Sequence, residues 1–170
     1  MKSWLYRGCV APMGRLARLA AWLAVVALIA PAGMPRARAS DAAAVSGQWL
    51  AQEHDGVITI GACGTGKGDA AELCGRLIGM QYTGAPPKDV WGRPQCGIVM
   101  LFGFKPGDEG RWDGRILDPQ TGRLYSARIW SPRPDVLNLR GYILGMPFLG
   151  ETQTWTRYHG KIGPECTMPP

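Results

Sequence analysis

Helical periodicity is nearly absent between Gly47 and Cys166. In its place stands a succession of short alternating or apolar runs broken by Gly, Pro, Asp and Asn. That pattern confines the segment to an antiparallel all-β domain, because a period of two buries one face only and each break supplies turn backbone. Eight strands are expected, over Gln48–Ala51, Val57–Gly61, Cys74–Gln81, Gly97–Lys105, Arg111–Leu117, Leu124–Trp130, Val136–Tyr142 and Thr152–His159. One helical turn, Asp69–Leu73, is the single helical candidate of this body.

Several turns are legible. Glu53-His54-Asp55-Gly56 precedes the second strand, and Lys105–Gly110 holds Pro106, Gly107 and Gly110. Asp118-Pro119-Gln120-Thr121-Gly122 closes a hairpin, with Pro fixing one turn position and Gly supplying an unusual φ. Ser131-Pro132-Arg133-Pro134 is expected not to continue a central strand. Alternation sorts the faces: Trp112, Gly114 and Ile116 share one side, as do Tyr125, Ala127 and Ile129, while Leu137 and Leu139 oppose Asn138 and Arg140. Thr154, Thr156 and Tyr158 oppose Trp155 and Arg157. About eight short strands in meander order must bury one face and protect their edges, which a small closed barrel does most completely. A sandwich fits the same alternation nearly as well. Gly47-Gln48-Trp49 resembles the opening of lipocalin-like barrels, where the indole plugs one end, so Trp49 is expected to be structural.

Charge narrows the function classes. The net +6 of the chain resides in Lys2, Arg7, Arg15, Arg18, Arg36 and Arg38, a segment without Asp or Glu. The remaining 13 basic residues equal the 13 acidic ones. A neutral body without clustered Lys and Arg is not expected to bind nucleic acid. Residues 1–39 have the three parts of a secretory signal: a basic start, the apolar run Leu19–Ala30, and Ala37-Arg38-Ala39 ahead of a cut before Ser40. Retention as an amino-terminal anchor is the alternative, although Pro31, Gly33 and Pro35 interrupt the stretch. Residues 40–46 are expected to form a short flexible tail, 47–166 the barrel domain, and 167–170 a carboxy-terminal tail. The expected location is the periplasm or the exterior.

In an oxidising compartment Cys63, Cys74, Cys96 and Cys166 are expected to form two disulfides. Three pairings are open. The favoured one joins Cys63 to Cys74, closing a loop between two strands, and Cys96 to Cys166, pinning the carboxy-terminal tail. In a chain-entropy picture these contribute about 3 and about 4 kcal/mol. No Cys-x-x-Cys pair occurs and His54 and His159 are isolated, so neither a metal nor a cofactor is expected.

Three segments are the most distinctive: Pro86–Gly97, holding Asp89, Trp91 and Arg93; Trp112–Pro119, continuing through Gly122 to Tyr125; and Leu139-Arg140-Gly141-Tyr142, continuing through Gly150 to Gln153, Trp155 and Arg157. With the opening Gly-x-Trp, they make the stretch from about Gly47 to Cys166 similar to the bacterial family catalogued as domain of unknown function 2147, small exported proteins of Gram-negative bacteria. The resemblance implies a lipocalin-like, calycin-type barrel with room for a ligand. It implies no catalytic residues.

The first functional expectation is a non-catalytic binding module for a small apolar or amphipathic ligand, since an eight-strand barrel can enclose one. Trp49, Trp112, Tyr142 and Trp155 supply aromatic walls in this reading, and Arg140 or Arg157 meets an anionic headgroup. The second is an envelope interaction or maintenance protein that touches a periplasmic partner, or lipid, through Pro86–Cys96 and Gly145–Gly150. The third is a small hydrolase built on Asp113 and Asp118, or on Asp89 beside Arg93, with His159. Carboxylates at turns do not by themselves form the opposed environments that acid–base chemistry needs.

Overall fold

The computed structural model describes residues 37–64 and 72–169. The apolar run Leu19–Ala30, almost all of the expected leader, and most of the candidate turn Asp69–Leu73 lie outside them. Helix α1 (Ala37–Val45) leads into eight strands: β1 Gly47–Leu50, β2 Gly56–Ala62, β3 Leu73–Met80, β4 Val99–Pro106, β5 Trp112–Leu117, β6 Leu124–Arg133, β7 Val136–Tyr142 and β8 Gly150–Arg157. Each expected strand is present, with ends displaced by two residues or fewer except where β6 runs on to Arg133.

Every strand pairs antiparallel with the next, and β1 closes on β8 through Trp49↔Arg157 and Leu50↔Thr156. The sheet is a closed barrel, not a sandwich. Register shifts within β2–β3, β3–β4, β4–β5 and β6–β7 supply the local coiling that closure needs. The β5–β6 ladder is uninterrupted from Trp112↔Ile129 to Leu117↔Leu124. Its turn is stapled by Asp118, whose Oδ1 accepts the Gln120 N–H at 2.9 Å and whose carbonyl accepts the Gly122 N–H at 2.8 Å.

One turn expectation is corrected. Ser131-Pro132-Arg133 does extend β6, because the register slips between Trp130 and Arg133 and the ladder there asks no N–H of Pro132.

The expected tail over residues 40–46 is also corrected. Ala-rich sequence favours helix, and α1 carries Val45 into the core at 1% exposure. The Trp49 indole N–H donates to the Val45 carbonyl at 2.9 Å, and the Ser46 hydroxyl to the Ala42 carbonyl at 2.7 Å. Residues beyond 166 are likewise not a free tail. Thr167 bridges to Met80, the Met168 N–H donates to the Met80 carbonyl at 2.9 Å, and Met168 is buried against the outer face of Gly79. Both favoured disulfides are formed, Cys63–Cys74 and Cys96–Cys166, with Cα atoms 4.9 and 5.6 Å apart.

The interior is filled unevenly. Toward the end that α1 covers, Trp49, Leu101, Phe104, Trp112, Ile129 and Leu137 are buried to 2% exposure or less. Small residues admit the large ones: a Cβ on Gly114 would meet the Phe104 ring at 2.6 Å. The opposite end is where the barrel leaves space.

Candidate ligand-binding site

The space is a cavity of about 420 Å³. It opens between the β1–β2 turn, the β3–β4 loop, the β5–β6 turn and the start of β8. Its walls come from inward positions of successive strands: Ile58 on β2, Leu77 on β3, Met100 on β4, Ile116 on β5, Tyr125 on β6, Leu139 and Gly141 on β7, Gln153 and Trp155 on β8. The pairs Ile58↔Leu77 and Ile116↔Tyr125 show why these side chains share the inner face, since directly opposed residues in an antiparallel ladder point the same way. The Trp155 indole N–H is engaged by Gln153 Oε1 at 2.9 Å, which leaves its ring as apolar wall.

The polar residues gather at the mouth. Glu53, Asp55, Asp118 and Glu151 line it with Gln95 and Gln120, and no Lys, Arg or His is among the lining residues. Burial pushes the Asp118 carboxyl up, but the Thr121 hydroxyl, the N–H groups of Gln120 and Thr121 and nearby Arg123 outweigh it and hold Asp118 below its ordinary range. Glu53, Asp55 and Glu151 are exposed and form no ion pair with another described residue. The mouth therefore carries negative charge at neutral pH.

One loop over this mouth is clasped from within. The Asp89 side chain is wholly buried and accepts the Trp91 N–H at 3.0 Å, the Arg93 N–H at 2.8 Å and Arg93 Nε at 2.7 Å. Burial raises the Asp89 pKa, and the Arg93 and Trp91 hydrogen bonds, with the Arg93 charge, bring it below its ordinary value. The loop is tied to the β5–β6 turn by the Val90 N–H on the Pro119 carbonyl at 2.9 Å.

The barrel fold agrees with comparisons to known proteins. A family model described as an uncharacterized protein conserved in bacteria, DUF2147, matches residues 47–157. The chain belongs to the DUF2147 family. Among solved structures, a Helicobacter pylori protein titled "Protein HP1028 from the human pathogen Helicobacter pylori belongs to the lipocalin family" is similar at a TM-score of 0.57 and 16% identity, covering 68% of this chain and 83% of that one. At that identity the likeness shows the fold, a lipocalin-like barrel. Among curated proteins, none matches.

The DUF2147 barrel disperses the ligand residues expected from sequence. Trp155 lines the cavity. Trp112 faces inward but is buried at 2% exposure among the packed residues of the covered end. Arg140 and Tyr142 point outward, because Leu139 and Gly141 between and beside them face in. Arg140 donates instead to the Pro147 carbonyl at 2.6 Å and to Thr152 Oγ1 at 2.7 Å. Arg157 faces inward at the covered end, its guanidinium 3.7 Å from the Trp49 ring centroid. It donates to the Ser46 carbonyl at 2.6 Å and the Ala44 carbonyl at 3.4 Å, the orphan acceptors at the end of α1, and lies 3.6 Å from Asp135. Neither arginine can meet a headgroup in the cavity.

The carboxylates considered for hydrolysis are separated too. Asp113 binds Arg128 at 2.6 Å, Asp118 holds its turn, and Asp89 holds its loop. His159 is exposed and makes no hydrogen bond to Asp89 or Arg93. Met100, Ile116, Tyr125, Gln153 and Glu151 line the cavity without having been expected there from the sequence. The usable signal was inward alternation combined with proximity to the turns of one barrel end.

Proposed function

We propose that this DUF2147 protein is an exported binding module that holds one small amphipathic ligand, apolar part inward and polar end at the mouth. The observation that carries the reading is the cavity: about 420 Å³, walled by aliphatic and aromatic side chains and rimmed by a few polar ones. Small-molecule sites have this composition and run from roughly 300 to 1,000 Å³. The acidic mouth favours a neutral or positively charged polar end over an anionic one. Export is supported by the apolar run Leu19–Ala30 and by the two disulfides, which persist in oxidising compartments.

The test is displacement of a fluorescent apolar probe by three amphiphiles sharing one alkyl chain, with ammonium, neutral and sulfate heads. The ammonium compound is expected to bind about tenfold tighter than the sulfate at low salt, and salt should narrow the gap. Glu53→Lys with Glu151→Lys should reverse the order. Binding of none of the three sinks the cavity reading. Tightest binding by the sulfate, unchanged in the double variant, sinks the head-group assignment alone. Native mass spectrometry of protein from its own envelope would add the retained mass.

A second reading, envelope interaction through loops, is favoured by the distribution of exposed apolar side chains, and leads to the inference below.

A further inference from the structure

The large hydrophobic side chains that the described residues leave exposed all stand at the open end of the barrel. Val90 and Trp91 lie on the β3–β4 loop and Leu124 opens β6. The others are on the β7–β8 loop, led by Leu144 at 80% exposure and Phe148 at 75%. They are not scattered singles. Trp91 and Val90 sit against the β5–β6 turn at Gly122, where a Cβ would meet both within 3.0 Å. Leu124 shares a surface groove with Ile143 and Leu144. The turns of the covered end, Pro106–Gly110 and Pro132–Asp135, show no such residue.

The exposure is built into the backbone. Asp89 commits a wholly buried carboxylate to the loop that holds Val90 and Trp91 outward. Arg140 fastens the β7–β8 loop through the Pro147 carbonyl, and the Leu149 N–H donates to the Met146 carbonyl at 2.9 Å. Leu144 is held at φ +55°, a left-handed conformation unfavourable for a bulky residue, and yet its side chain stays in water. Clasped loops that present leucine and phenylalanine to solvent mark a contact surface.

We propose that the open end docks on a phospholipid bilayer, with the β3–β4 and β7–β8 loops entering the boundary between headgroups and acyl chains and the cavity mouth turned toward the membrane. Three observations select lipid over a protein. The patch is made of projecting loop tips from separate segments, and only Leu124, Ile143 and Leu144 among them share a groove. The strands close into a barrel, β1 meeting β8 at Trp49 and Leu50, which leaves a partner peptide no edge longer than the start of β8 at that seam. Its polar border sets two cations beside the apolar tips, apart from the acidic mouth: Arg93, with a side chain 62% exposed, stacks 4.7 Å from the Trp91 ring, and exposed Arg123 adjoins Leu124. Tryptophan and arginine beside aliphatic tips suit the interface, where the ring bridges wet and dry regions and the guanidinium meets phosphate. Continuity with the cavity mouth adds a purpose, since an amphipathic ligand partitions into that same layer. No described helix is long and apolar enough to cross a membrane.

The proposal goes beyond the cavity reading, and its test does not use a cavity ligand. Protein isolated from its host, with its amino-terminal mass recorded, is sedimented with phosphatidylcholine vesicles. Quenching by nitroxide-labelled lipid is read at Trp91, using Trp91→Phe as the blank. Wild type should bind, and its Trp91 signal should be quenched. Leu144→Asp with Phe148→Asp should weaken binding by about a hundredfold, about tenfold per side chain withdrawn from the apolar layer. Thermal unfolding of that variant should match wild type; should it not fold, Trp91 quenching in wild type decides. Three results overturn the proposal: no vesicle binding by wild type, binding equal in the double variant, which places attachment elsewhere such as residues 19–30, or a solution dimer that the double variant dissociates.

Discussion

The two ends of this barrel are built from the same strands by opposite rules. At the covered end, Trp49, Phe104 and Trp112 fill the interior, α1 lies across it, and Arg157 ties the helix terminus to the Trp49 ring. At the open end the interior is left empty, and the effort goes into loops: Asp89 and Arg140 hold apolar side chains out instead of in. Close-packed aromatic interiors contribute most to stability, whereas loops on a rigid scaffold carry binding. The difference teaches that stability and recognition are separated along the barrel axis, so that either can be changed with little cost to the other.

The sharpest way to break that comparison is to remove the plug. Trp49→Ala deletes a fully buried indole, its hydrogen bond to Val45 and the platform under Arg157. A loss of about 3–5 kcal/mol is expected in denaturant unfolding, while the folded fraction keeps its affinity for the probe. A stable Trp49→Ala protein with an altered cavity would mean that the ends are not separate.

A matched pair of glycines gives a finer test. Gly114 and Gly141 both oppose Ala127, one from β5 and one from β7, in a single inward row. A Cβ on Gly114 would meet the Phe104 ring at 2.6 Å and the Phe102 carbonyl at 2.8 Å, but on Gly141 only Ile116 Cγ2 at 4.0 Å. Gly114→Ala is therefore expected to destabilise by about 1–3 kcal/mol through overpacking. Gly141→Leu grows into the cavity and should leave stability within about 1 kcal/mol while weakening probe binding at least about tenfold. Equal stability losses at both positions would show that the open half is packed as tightly as the covered half.

The same axis explains what could be read before folding. Turn residues and alternation located all eight strands, because those signals are local: Asp118, Pro119 and Gly122 specify their hairpin wherever it lies. Closure was not local. It depends on Trp49 meeting Arg157 across more than a hundred residues, and alternation alone suited a sandwich as well. Alternation also sorts residues only in or out. It groups Trp112 with Ile116 and Trp155 with Arg157 on shared faces, but which inward residue sits at which height depends on strand tilt and stagger. Trp112 and Arg157 thus belong to the packed half, and only Trp155 reaches the cavity. Arg140 and Tyr142 were a different failure, since the alternation that turned Leu139 inward already turned them out. The acidic mouth could not be seen because Glu53, Asp55, Asp118 and Glu151 come from two turns and the start of β8, which meet only when the barrel closes.

The smallest expected effect concerns the Asp89 clasp, which should fail alone. Its carboxyl is held below its ordinary pKa in the folded protein, the Arg93 and Trp91 donors overcoming burial. A depressed folded-state value contributes stability that is complete above the unfolded carboxyl pKa of about 3.9 and is lost as pH falls through the folded value. The clasp should therefore be intact at neutral and mildly acidic pH and open only below the ordinary carboxylate range. Hydrogen exchange at the Trp91 and Arg93 amides, followed by NMR, reads this directly, because both N–H groups donate to Asp89 Oδ1. The β-strand amides of the covered end should keep their protection across the same interval, since the clasped residues Asp89–Arg93 are tied to the β5–β6 turn through Val90. Loop opening well above the ordinary range would mean that burial wins and Asp89 is easily protonated. Simultaneous loss of protection in loop and strands would mean that the clasp supports the whole barrel, and the division between its two ends would fail at the residue that most clearly belongs to one of them.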